Sequence, residues 1–132
     1  MRYGFPDSIR GEYMTRRVIP FKGGLTFAKY QVVALETSTH SLVPYDSQGT
    51  DGANVPYAVS LRDVNTASGE LYSDYLYNCD WFNGPLLVFA NERDTWQGIA
   101  EEFRGRRISL RAFNSALDVI PEPDDESESE SD

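Results

Sequence analysis

One stretch of the chain, ERDTWQGIAEEFRGRR, repeats its apolar residues at helical spacing. Trp96, Ile99, Ala100 and Phe103 fall at i, i+3, i+4 and i+7 and so share one face. Asp94 or Thr95 is placed to cap its start and Gly105 to end it. Around this helix the apolar runs are short. KYQVVALE (29–36) reads as a strand with β-branched residues at its centre, and LVPY (42–45) as a short or edge strand, because Pro44 lacks the N–H a central strand needs. VPYAVSLR (55–62) and LYSDYLYN (71–78) read as two more strands, the second with Leu71, Tyr75 and Tyr77 on one face. DVNTASGE between them is polar and turn-forming. ISLRAF (108–113) and ALDVI (116–120) follow the helix as further short strands. The fold class expected is α+β: a small β-rich domain with one amphipathic helix.

The charge is unevenly placed. Of the net −9, seven negative charges lie from Pro121 onward (Glu122, Asp124, Asp125, Glu126, Glu128, Glu130 and Asp132) with no cation among them. The rest, residues 1–120, stands at −2. A self-repelling segment without apolar residues cannot build a core, so 121–132 is expected to be a disordered acidic tail. Residues 1–24 carry five cations against two acids. They show no sustained period of 2.0 or 3.6, and are expected to form an extended arm ahead of a body spanning 25–120. Tyr3, Phe5, Tyr13, Val18, Ile19 and Phe21 make this arm too apolar for a plain linker, so it should dock somewhere. A near-neutral body disfavours direct nucleic-acid binding, which needs a dense basic surface.

No run of 18 or more apolar residues is present, so no bilayer span is expected, and MRYGFPDSIRGEY lacks the apolar centre of a secretory signal. Cys79 is the only cysteine and has no internal disulfide partner.

The segment TSTHSLVPYDSQGTDGANVPYAV (37–59) holds the single histidine and looks at first like a ligand loop. A calcium loop starting at Asp46 would need glycine at its sixth position and glutamate at its twelfth, where this chain has Asp51 and Tyr57. One histidine and one cysteine cannot close a zinc site. There is no G-x-S-x-G elbow, Gly23-Gly24 is not a phosphate loop, and His40 lies in a polar turn beside its serines. Glu101 and Glu102 fall on the solvated side of the helix. Arg104, Arg106, Arg107 and Arg111 form the densest basic patch, at a helix end where cations are favoured. Neither a catalytic residue, a metal nor a cofactor is expected.

The same segment resembles a known family. A hydroxyl-rich turn (Thr37, Ser38) is followed by Leu42, Val43, Tyr45 and Asp46, then Thr50, Asp51, Gly52 and Ala53, then a strand containing Ala58 and Val59. That order is similar to the head decoration proteins of phage lambda and its relatives. The resemblance spans about residues 25–90, densely over 37–59. It implies a β-tulip-type fold and a virion protein on the outer capsid surface, made in the host cytoplasm. Such proteins bind the major capsid protein as homotrimers at local threefold positions and cement the expanded shell against DNA pressure. An N-terminal arm commonly grips the capsid by strand addition. On position and composition the arm contacts expected here are Arg16, Arg17, Val18, Ile19 and Phe21. Two departures stand out: Asn54-Val55-Pro56-Tyr57 is bulkier than the small aliphatic run expected after Asp51-Gly52-Ala53, and the acidic tail is additional. The tail also supports an alternative from another class, an acidic inhibitor or DNA-mimic interaction protein.

Overall fold

The computed structural model describes residues 8–113. Its elements in chain order are β1 (Ile9–Arg16), β2 (Thr26–Phe27), β3 (Val32–Glu36), β4 (Ser41–Pro44), β5 (Pro56–Ser60), β6 (Val64–Asn65), β7 (Tyr75–Asn83), a 3-10 turn (Gly84–Leu86), α1 (Trp96–Gly105) and β8 (Ile108–Arg111). The main sheet runs β1-β7-β5-β3-β4, with β8 also pairing β7. All its ladders are antiparallel except β7–β8, which is parallel. The β2 and β6 strands make a separate two-stranded ribbon.

Successive side chains of a strand point to opposite faces, and here both faces are buried. Val32 and Ala34 of β3, Val59 of β5 and Leu76 of β7 pack with Phe82, Ile99, Phe103 and Ile108 on the helix side. Val33, Ala58 and Tyr75 pack with Leu42, Ile19, Phe21, Phe27 and Val64 on the other. That double burial is why the centre of β3 reads as an unbroken apolar run rather than an alternation. The β-rich domain with one helix is present as expected. The helix starts at the expected place too: Thr95 is its N-cap, its hydroxyl accepting from the Gly98 N–H at 3.1 Å, and Ile99 and Phe103 are buried.

The N-terminal segment differs from expectation. Residues 9–16 are not a free arm but a strand of the sheet, and Ile9, Ile19 and Phe21 are core. The physical reason is irregular pairing. The β1–β7 register shifts between Arg10 and Tyr13 and again between Met14 and Thr15. At the first shift Gly11 takes φ +86° and the Asp80 carboxylate accepts the Glu12 N–H at 2.8 Å. The first shift adds a residue to β1 beside Gly11 and the second leaves Tyr77 unpaired on β7. Past Gly11 the strand alternates half-buried and exposed, but Met14 takes an exposed place and Thr15 a half-buried one, so hydropathy does not follow burial. Further on, the chain runs along the edge of β4: Leu42 N–H donates to Pro20 and Lys22 N–H to Leu42. Phe21 exchanges backbone hydrogen bonds with Leu71.

Two more boundaries move. Residues 63–70 were expected to be only a turn, yet β6 lies there with Val64 and Thr66 buried. The Thr66 hydroxyl donates to the Lys22 carbonyl at 2.6 Å and accepts the Leu25 N–H at 2.9 Å, a buried tie that reads as turn chemistry in sequence. The strand expected over 71–78 begins at Tyr75 and continues to Asn83, leaving Leu71 in an isolated bridge and half exposed. ALDVI and the acidic tail lie outside the described residues.

Tyr75 is fully buried. Its hydroxyl approaches the backbone of Ile19 and Val18, but closes no well-formed hydrogen bond among the described residues. Removing an unsatisfied buried hydroxyl removes its desolvation penalty. Tyr75→Phe is expected to leave stability unchanged or raise it by up to about 1 kcal/mol. A lower thermal midpoint in the variant would mean the hydroxyl has a partner.

Candidate functional site

The residues of the 37–59 segment meet at one end of the sheet. After β3 the chain reverses through residues 37–40, with His40 N–H donating to Glu36 O at 2.8 Å and His40 itself at φ +55°. After β4 it turns again around Asp46, whose carbonyl accepts the Gly49 N–H at 2.8 Å and whose N–H donates to Ala53 O at 2.9 Å. Thr37 N–H donates to Asp51 O at 2.7 Å, and the Asp51 carboxylate accepts both the Ser38 N–H and the Ser38 hydroxyl, locking the two turns together. Asp51 and Gly52 follow at φ +58° and +91°. Glycine is required at 52: a Cβ there would stand 2.4 Å from the Leu35 carbonyl oxygen.

A second tie runs to the lead-in of α1. The Asp46 carboxylate accepts from Asn91 Nδ2 and from Gln48 N–H, each at 2.9 Å, and these two donors, Asn91 first, hold it below the usual carboxylate range. Ser47 N–H donates to the Asp94 carboxylate at 3.0 Å. Leu42 and Val43 are buried on opposite faces, Ala53 packs against the helix-side core, and Tyr45 is buried with its ring edge-on to Phe89 at 6.4 Å. Burial, then the nearby carboxylates of Asp94, Glu102 and Asp46, push the Tyr45 phenol upward.

Each signature residue therefore has a structural use. His40 is an exposed turn residue, and among the described residues no three His, Cys, Asp and Glu side chains come together as a metal group. Burial pushes the Cys79 thiol up to about 12, so it stays protonated and is a poor nucleophile.

The five expected arm contacts separate into two groups. Ile19 and Phe21 are core residues and present nothing to a partner, which corrects the expectation for them. Arg16, Arg17 and Val18 are exposed, Val18 at 68%. The Arg16 guanidinium lies over the Tyr77 ring, 4.0 Å from its centroid. Arg17 Nε contacts Asp74 Oδ1 at 2.6 Å while Arg62 Nε contacts Oδ2 at 3.2 Å. The Arg17 hydrogen bond is the chief reason the Asp74 carboxyl titrates below its usual range. Arg106, at the C-cap of α1, lies 4.3 Å from the Tyr57 centroid and donates Nε–H to the Tyr57 carbonyl at 3.2 Å. Asp74, Arg62, Tyr57 and Tyr77 were not expected as surface partners. The alternation of tyrosines at 75 and 77 hinted at one face, but nothing in the sequence brings Arg16 or Arg106 to it. No protein-family model matches the chain, and no curated protein matches it.

Proposed function

We propose that this chain is a viral capsid decoration protein. In this reading it is a non-enzymatic cementing module that binds the outside of an expanded phage head as homotrimers at local threefold sites and stabilises the shell. The observation that supports it is the tied double turn. Residues in the order typical of head decoration proteins, dispersed over 37–59, meet in one hydrogen-bonded unit joined to the helix lead-in. They act there as shape-holding residues, which suits a protein whose task is to present a fixed surface.

The partner is the major capsid protein. Contact falls to the exposed members of the N-terminal segment, Arg16, Arg17 and Val18, the two arginines meeting acidic capsid surface. Three copies of a modest contact on one trimer raise the effective concentration of each, giving a long-lived clamp.

The test is co-sedimentation of the full chain with expanded heads, beside an R16Q/R17Q/V18S variant. Removing residues 1–24 would be the wrong comparison, since it deletes a strand and Phe21 from the core. Saturable binding near one trimer per threefold is expected, weakened about tenfold or more in the variant. Failure of the full chain to sediment with heads overturns the reading. Equal binding by the variant moves the contact elsewhere on the surface.

A further inference from the structure

Four of the described arginines, Arg10, Arg16, Arg106 and Arg111, lie with their guanidinium groups over aromatic rings. Two of them cover tyrosines on the paired strands β5 and β7. Arg16 covers Tyr77 and Arg106 covers Tyr57; both tyrosines pack against the same buried cluster, and the Tyr57 ring lies 6.5 Å from that of Tyr75. Arg16 and Arg106 are exposed, and neither has a carboxylate partner among the described residues. The Arg16 and Arg106 guanidinium carbons lie 4.0 Å and 4.3 Å from their ring centroids, and with Arg106 Nε–H held by the Tyr57 carbonyl its two Nη groups are left for an incoming anion. That arrangement is set to receive carboxylates bidentately. This arginine–tyrosine band thus fits a flexible polyanionic peptide.

This chain carries such a peptide. Residues 122–132 hold seven carboxylates and no cation. The chain also leaves the described fold within reach of the band. Phe113 N–H donates to Asn83 Oδ1 at 3.0 Å, which fixes the exit at the C-terminal end of β7. From Asn83 back to Tyr77 along the strand is about 20 Å. The nine residues from Phe113 to Glu122 can span up to about 30 Å when extended.

We propose that the Arg16–Tyr77–Tyr57–Arg106 band is the docking site of this chain's own acidic segment, residues 122–132. The contact is polyvalent and salt-sensitive, many carboxylates exchanging over two pre-oriented guanidinium groups. The short connection keeps the tail at high local concentration, so it screens the band from other anions until a better-fitting acidic surface displaces it. The inference stands without the decoration reading, since it concerns only the free chain.

A nitroxide on Ser129→Cys in the full-length protein tests it. Cys79 is buried with its thiol protonated, so attachment is directed to position 129. In low salt, selective loss of NMR peak intensity is expected at Arg16, Tyr57, Tyr77 and Arg106. The loss should vanish in R16Q/R106Q and at roughly 1 M salt, where screening is nearly complete over about 3 Å. Three results overturn the proposal: no broadening, broadening unchanged in R16Q/R106Q, or broadening that arises only between labelled and unlabelled chains in a mixed sample. The last would assign the band to a neighbouring copy's tail.

Discussion

Phe21→Ala is expected to destabilise the free protein by about 3–5 kcal/mol, the range for truncating a fully buried phenylalanine. Phe21 has no exposed surface, packs edge-on to Phe27 with centroids 4.8 Å apart, and sits among Ile19, Val33, Leu42, Ala58, Val64 and Tyr75. Its backbone bonds Leu71, and its neighbours Pro20 and Lys22 bond Leu42, so the surrounding chain is pinned on two sides. A cavity formed there has little freedom to collapse, which places the loss toward the upper part of that range. Val18→Ala is the matched control: Val18 is 68% exposed, and a surface truncation away from special features stays within about 0.5 kcal/mol. Denaturant midpoints at constant m-value report both. A loss under about 1 kcal/mol for Phe21→Ala would return residues 17–22 to the status of a docking arm.

That outcome bears on what could be read from the residues alone. The helix was legible because its signal is local: four apolar residues at one spacing, a threonine cap and a glycine end. The centre of β3 was legible because a doubly buried strand is apolar throughout. β1 was not, because its pairing slips at Gly11, because Met14 is exposed where Thr15 is half-buried, and because its partner residues on β7 lie 59 to 73 positions away. A strand held by a distant ladder and built largely from polar and small residues leaves no apolar alternation to read. The turn-like 63–70 stretch hid Val64 and Thr66 for a related reason, since a buried threonine satisfied by Lys22 and Leu25 has the composition of a loop. The 37–59 segment was read as turns, and its turns are where they were expected. What sequence could not supply was the cross-tie of Ser38 to Asp51, or the use of Asn91 and Asp94 to anchor Asp46 and Ser47. The arginine–tyrosine band was hidden most completely, because it is assembled from β1, β5, β7 and the helix terminus.

Gly52→Ala is expected to destabilise by about 2–4 kcal/mol, combining left-handed backbone strain with overpacking. The two contributions act together because φ is +91° and the new Cβ would stand 2.4 Å from Leu35 O and 2.8 Å from Thr37 Oγ1. Leu35 belongs to β3, between β4 and β5, so its carbonyl cannot retreat without disturbing paired strands. The Thr37 hydroxyl can rotate aside, but the Thr37 nitrogen, 3.3 Å from the new Cβ, is pinned by its N–H bond to Asp51 O. Asp51→Ala removes the Ser38 contacts at an exposed position and sets alanine at φ +58°, but creates no clash, so its loss should be smaller, about 1–2 kcal/mol. Thermal unfolding of both variants gives the order. If Asp51→Ala proved the more damaging of the two, the carboxylate would be the centre of the segment and a ligand role would reopen. With Gly52→Ala the more damaging, the segment is held by backbone shape, as a rigid surface-presenting turn requires.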